Sequence, residues 1–400
     1  MKSPSKLLIV SLLGALSVIT PFAIDMYLPA FPVAAKELGV ESSAIALTLS
    51  SYFIGLALGQ VFYGPLLDRY GRKKPIYAGM ALFILASFGC AKVSSITALI
   101  VLRFIQALGG CVAQTGAITM VHDFFPANER AKVLSLLFLF IAVSPLLAPS
   151  FGGMLMLTFG WRAVFWALAI VGAALIALIY WRLPEGHKPD AGISLKPLPI
   201  LKEYVAIARH PRFATYAFAG AFSFAGLFAY VAGSPIIFME GFHLSTKAFS
   251  AIFAVLAMGF IGGSQINVAL LRRFSSETLF LRVLAVQAIA GMLFLIGAWQ
   301  GWWELYATLA LFFVFLSCTG ITYPNAAALA LMPFSRNAGS ASALLGFLQL
   351  GVGAVISTGI STAKSGDTLP IIAILAISSS TALAILLLGR RRAHAAPVTE

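Results

Sequence analysis

Two side chains in this sequence combine charge with an apolar setting in a way that could move protons. Asp25 opens the run Asp25-Met26-Tyr27-Leu28-Pro29-Ala30-Phe31-Pro32, near the end of a long apolar stretch. It is the only carboxylate deep within any such stretch; the other acids, Asp123 included, fall in polar gaps or near the ends. Arg103 begins Arg103-Phe104-Ile105-Gln106-Ala107-Leu108-Gly109 in another apolar stretch. A charged group this deep in a membrane is costly unless paired or hydrated, which makes it a functional candidate. Asp25 lies 11 residues before Lys36, and Arg103 lies 11 residues after Lys92. At ~1.5 Å per residue both sit ~16 Å from those markers, so they can share one depth. Burial favours the neutral form of a carboxyl and a nearby guanidinium favours its charged form. An acid balanced between the two can load a proton on one side and release it on the other. The alternative is a fixed ion pair needed only for folding.

A second constellation is Gly64-Pro65-Leu66-Leu67-Asp68-Arg69-Tyr70-Gly71-Arg72-Lys73-Lys74. A plain basic loop explains the Arg and Lys but not Asp68 or the glycines. Gly71 permits a tight turn, and Asp68 can pair with a nearby Arg or face a helix N-terminus. A third is Ser144-Pro145-Leu146-Leu147-Ala148-Pro149-Ser150-Phe151-Gly152-Gly153. Two prolines followed by Gly-Gly should bend a helix and allow close packing. Seven further side chains, Tyr27, Tyr52, Gln106, Gln114, Tyr230, Asn325 and Gln349, put aromatic or polar groups inside apolar stretches. They are candidates to line a ligand cavity, against the alternative of interhelical hydrogen bonding.

The elements that must position these groups follow from composition. Of the 400 residues 60% are hydrophobic and 10% charged, and the mean hydropathy is +0.95. Soluble domains carry roughly 25% charged residues, so the natural solvent of this chain is lipid. Apolar runs place twelve spans near 7–35, 43–67, 75–92, 96–122, 131–157, 162–182, 211–239, 246–271, 279–298, 303–332, 340–363 and 368–389, each near the ~20 residues that cross a bilayer. The first is too long for a signal-peptide core and has no convincing cleavage site, so it reads as a retained span. The net charge of +13 does not point to nucleic acid, because the basic residues sit between spans. With the N-terminus inside, 21 Lys and Arg fall on the cytoplasmic side, five outside, and Arg103 within a span. That asymmetry puts both termini in the cytoplasm.

The longest polar gap, 183–210, separates six spans from six, and its end from Pro199 to Arg209 reads as an amphipathic surface helix. Gly55, Gly59, Leu66, Leu67 and Arg69 recur 204 residues later as Gly259, Gly263, Leu270, Leu271 and Arg273. This favours duplicated halves with a substrate site at the midplane between them. The expected units are a bundle over 1–182, a cytoplasmic linker over 183–210, a second bundle over 211–392 and a tail over 393–400. The three cysteines and five histidines show no metal or disulfide spacing, and no phosphate-cradling loop is present. An enzyme and an ATP-driven pump are therefore not expected.

Together these runs closely resemble the Bcr/CflA drug-resistance branch of the major facilitator superfamily's twelve-span drug:proton antiporters. The 64–74 loop matches the superfamily's signature loop. The Asp25–Pro32 run and Gly339-Ser340-Ala341-Ser342-Ala343-Leu344 resemble the branch. Two positions depart from it: Ala148 replaces the Gly usual before Pro149, and His122-Asp123 stands where Arg-Asp is expected. The resemblance implies an all-α major facilitator fold of two six-helix bundles. It implies a monomer in the bacterial inner membrane that exports small amphipathic compounds, phenicol-, sulfonamide- or bicyclomycin-like. Exchange would be for protons, without a cofactor, by alternating access. Asp25 and Arg103 would couple protons. Gly64, Asp68, Arg69, Gly71, Arg72, Asp123, Pro145, Pro149, Gly152 and Gly153 would govern conformation, Asp68 by facing the start of span eleven near Gly339 and Ser340. A proton-coupled exporter of an amino acid, nucleoside or sugar is the alternative. A channel or membrane receptor is a further one, though neither needs a lone deep acid and Arg103.

Overall fold

The computed structural model describes residues 5–186, 189, 197–301, 304–334, 338–360 and 368–395. Lys2, His187, Lys188, Lys196, Arg336 and Lys364 lie outside the described residues, as do parts of the linker and tail. All regular structure among the described residues is helical, and twelve helices are long and apolar enough to cross a membrane.

The spans are α1 (Lys6–Asp25) with α2 (Phe31–Leu38), α3 (Ser42–Tyr70), α4 (Lys73–Lys92), α5 (Ile96–Phe124), α6 (Ala127–Phe159) and α7 (Arg162–Arg182). After the linker helix α8 (Pro197–Arg209) come α9 (Pro211–Ser234), α10 (Thr246–Leu270), α11 (Ser276–Trp299), α12 (Leu305–Leu331), α13 (Ala338–Ile360) and α14 (Leu369–Ala395). Lipid fills the role that water plays elsewhere, so each backbone polar group must be bonded within its own helix. Serine caps serve the exposed ends: Ser95, Ser245 and Ser275 accept from Ala98, Ala248 and Thr278.

The chain sorts into two compact units. Unit 1 is Met1–Val40 with Ser51–Leu195, and unit 2 is Glu41–Ser50 with Lys196–Glu400. Within unit 1, α1 packs on α5 and α6, and α4 packs on α5 and α7. Within unit 2, α9 packs on α12, α13 and α14, and α10 packs on α12. Helix α8 lies against α9 and α13, burying Ile207 and leaving Leu201, Lys202, Val205 and Arg209 exposed. The apolar face read from the sequence, Leu201, Tyr204, Val205 and Ala208, is divided: Tyr204 and Ala208 pack on the core of unit 2 while Leu201 and Val205 stay exposed.

The first span is not the single helix expected over 7–35. The α-helix stops at Asp25, a 3-10 turn covers Leu28–Ala30, and α2 resumes at Phe31. Proline explains the break: Pro29 has no N–H to donate to the Asp25 carbonyl, and Pro32 none for Leu28. The fifth span differs in the other direction, since α6 runs unbroken through Pro145 and Pro149. Gly71 (φ +80°) and Gly39 (φ +68°) make the turns after α3 and α2 in the left-handed region that glycine favours.

Candidate functional site

Asp25 is the C-terminal residue of α1, buried beside the break. Among the described residues no hydrogen bond or ion pair reaches its carboxylate. Gly152 of α6 seats directly on this break. A Cβ at Gly152 would lie 1.9 Å from the Met26 carbonyl oxygen, so only glycine permits the approach. The Pro/Gly run of the fifth span thus serves as a support for the acid's own turn. Gly153 is buried next to it.

Arg103 is 0% exposed. Its guanidinium stands over the rings of Tyr52, Tyr27 and Phe165, at 4.1, 5.3 and 5.7 Å. Nη1 donates to Gln106 Oε1 at 2.6 Å, and Gln106 Nε2 donates to Ser87 Oγ at 2.7 Å. Among the described residues Nε and Nη2 have no hydrogen-bond partner. No ion pair joins Arg103 to Asp25 or to any other described acid. A desolvated cation over an aromatic ring gains about 2 kcal/mol. Each unmet buried donor costs about 1–3 kcal/mol, more for a charged group. The two are comparable, so the rings hold the charge without satisfying it, and the box remains receptive to an acceptor.

A second charged cluster closes one end of unit 1. Arg72 donates from Nη1 to Asp68 at 2.5 Å and from Nε to Asp123 at 2.7 Å. Burial opposes its charge, but Asp123 and Asp68 outweigh that and hold the guanidinium above its ordinary range. Asp68 therefore does pair with a nearby Arg. Arg69 turns instead toward the ring of Tyr70, and Gly64 has open space where a Cβ would stand. One member of the cluster was not foreseen. Glu185 accepts from the backbone N–H of Arg72 at 2.7 Å and of Lys73 at 3.2 Å, capping α4 from just beyond α7. Lys73 Nζ in turn donates to the Leu183 carbonyl at 2.8 Å. The available signal was an isolated acid directly after a span that ends in arginine, where positive charge is the rule. His122, the departure from the expected Arg, is exposed and only its carbonyl is engaged, by Arg130.

The seven cavity candidates divide. Tyr27 and Tyr52 belong to the Arg103 box, and Gln106 is engaged within it. Asn325 donates to Asn267 at 2.6 Å, which is the interhelical packing alternative. Tyr230 stacks on Phe253 at 5.3 Å. Among the described residues Gln349 Nε2 is buried without a partner, and Gln114 is half-buried with no hydrogen bond. Among the described residues no group of three or more His, Cys, Asp or Glu comes together to hold a metal.

Residues 13–358 match the Major Facilitator Superfamily as a family. The chain is 30% identical to a bicyclomycin resistance protein homolog of Haemophilus influenzae over 362 residues, 90% of each chain. It is also 30% identical to the multidrug resistance protein MdtL of Shigella flexneri over 338 residues, 84% of each. A D-xylose-proton symporter of known structure shares the fold, with a TM-score of 0.72, 16% identity and 96% and 97% of the two chains covered. The chain belongs to the Major Facilitator Superfamily and is a multi-pass membrane transporter, not an enzyme.

Proposed function

We propose that this transporter exports small amphipathic compounds in exchange for protons, with Asp25 as the proton carrier. The observation that carries the reading is a pair of complementary vacancies in unit 1: among the described residues, a buried carboxylate without a donor and a buried guanidinium without a counter-ion. A protonated Asp25 is neutral and tolerates its apolar site. Once it loses the proton its charge needs Arg103, whose Nε and Nη2 are unmet. Substrate binding that brings the two together expels the proton, and exchange follows. The names of the relatives, a bicyclomycin resistance homolog and a multidrug resistance protein, support drugs over metabolites as cargo. The energy source is the proton gradient, with no cofactor. The bacterial relatives support the bacterial inner membrane, the charge asymmetry of the loops supports both termini being cytoplasmic, and we take the unit of function as a monomer.

The test is uphill transport of chloramphenicol, sulfathiazole and bicyclomycin in proteoliposomes under an imposed proton gradient. Wild type should accumulate at least one, and a protonophore should abolish the accumulation. Asp25→Asn keeps the shape and removes the titrating group, so it should insert normally yet lose uphill transport, whereas Asp25→Glu keeps part of it. Undiminished accumulation by Asp25→Asn would remove Asp25 as the carrier.

A further inference from the structure

Unit 2 carries a patch of rings that none of the seven cavity candidates includes. Phe224 of α9 and Tyr323 of α12 lie 4.5 Å apart at 31°. Phe228 meets Phe224 edge-on at 5.2 Å, and Phe260 of α10 lies 6.5 Å from it. The platform is held tightly. A Cβ on Gly320 would lie 2.1 Å from the Phe260 carbonyl oxygen, and one on Gly263 the same distance from that of Ser317, so α10 and α12 touch backbone to backbone beside the rings.

Tyr323 is 37% exposed, yet not on the lipid side of its helix. At ~100° per residue, Phe312, Leu316 and Thr319 fall within ~40° of it, and all three are 0% exposed. The exposed residues Tyr306, Phe313 and Val314 fall ~80–180° away. Phe224 tells the same story. It is half-buried on α9, where no residue beyond Pro211 is exposed, and the span containing α9 is the most buried of the twelve. The patch is therefore an accessible surface on an otherwise interior face.

We infer that Phe224, Phe260 and Tyr323 form a stacking cradle for an uncharged aromatic or heteroaromatic ring of the exported compound. The inference rests on the export reading above and names its substrate class. Among the described residues unit 2 buries no charged side chain, so a charged ligand finds no counter-ion there. The neighbouring polar groups are already committed, Thr322 to Ser223 and Asn325 to Asn267. The Tyr323 hydroxyl, without a hydrogen bond among the described residues, is the remaining polar handle. Rings with one open face and a single hydroxyl match a flat neutral ring carrying one polar substituent.

The test compares equilibrium binding of tritiated chloramphenicol, an uncharged nitrobenzene, with that of bicyclomycin, which is uncharged but has no aromatic ring. Purified full-length protein is used. Tyr323→Ala and Phe224→Ala should each weaken chloramphenicol binding about tenfold and leave bicyclomycin unchanged. Tyr323→Phe keeps the ring and should stay within about threefold, with an unaltered melting temperature. Indifference of chloramphenicol to both alanine variants would assign the patch to lipid chains or packing and overturn the proposal. Equal losses for both compounds, or no binding of chloramphenicol by wild type, would overturn it too. In that last case continued proton-driven export of bicyclomycin leaves the proton reading standing.

Discussion

The first helix of each unit repeats one local design and then diverges in chemistry. Tyr230 and Pro235 of unit 2 keep the spacing of Tyr27 and Pro32 of unit 1, 203 residues on. Regular helix ends at both places, with a 3-10 turn over Leu28–Ala30 and a π-helical turn over Pro235–Gly241. Two residues before the tyrosine, unit 1 has Asp25 and unit 2 has Phe228. Tyr27 faces the Arg103 guanidinium at 5.3 Å, and Tyr230 faces the Phe312 ring, also at 5.3 Å. Elsewhere in its core unit 2 uses neutral polar groups, with Gln287 tied to Ser223 and Thr319. One scaffold thus carries a charged site in unit 1 and an aromatic one in unit 2. Proton handling needs a group that changes charge, whereas a neutral ring needs only matching surface.

That division gives paired expectations, the largest at the two centres. Arg103→Leu should lower uphill exchange by about 100-fold or more, since an uncompensated buried charge costs about 3–5 kcal/mol. Phe312→Leu should cost about 1–2 kcal/mol of stability through the small cavity it leaves and leave coupling intact. Proton-driven uptake and thermal unfolding read the two apart; equal coupling losses would erase the distinction between units.

The next pair contrasts ion clusters. Arg72→Ala leaves Asp123 and Asp68 without their cation, while the backbone N–H bond to Glu185 survives, and should cost about 3–5 kcal/mol. Arg212, 3.6 Å from the partly exposed Glu277 of unit 2, should cost about 1 kcal/mol or less on the same substitution. Denaturation in detergent measures both. Asp68→Asn should barely move stability, because Asp68 is 46% exposed and such pairs contribute about 0.5 kcal/mol. A large loss of transport in that variant then reports a shift between conformations.

The smallest difference lies at the supporting glycines. Gly152→Ala drives a methyl into the fixed Met26 carbonyl, whereas Gly353→Ala meets the Phe228 ring at 2.2 Å, and a ring can turn aside. The first should cost about 1–3 kcal/mol and the second less, with transport following the same order. A reversed order would show that the break after Asp25 does not depend on its glycine support.

Much of this was legible in the sequence. Hydropathy placed all twelve spans within a few residues, because the bilayer demands an unbroken apolar run of about 20 residues and periodicity hardly matters. Asp25 and Arg103 stood out because charge is rare in such spans. The Arg72 cluster followed from an acid and glycines that topology alone does not require. What stayed hidden was contact. Whether Asn325 lines a cavity or bonds Asn267 depends on helix rotation, which a nearly uniformly apolar helix does not encode. Phe224, Phe260 and Tyr323 were lost among 32 phenylalanines and 11 tyrosines, whose packing the sequence does not distinguish. Glu185 sat in a gap read only as linker.

The most direct test of the central claim is proton release on substrate binding. Purified protein in weakly buffered detergent solution, with a pH-indicating dye, receives saturating chloramphenicol or bicyclomycin. Wild type should release close to one proton per molecule bound, Arg103→Leu markedly less, and Asp25→Asn none while still binding the compound. Full proton release from Asp25→Asn would contradict the account and move the proton site away from the charged centre of unit 1.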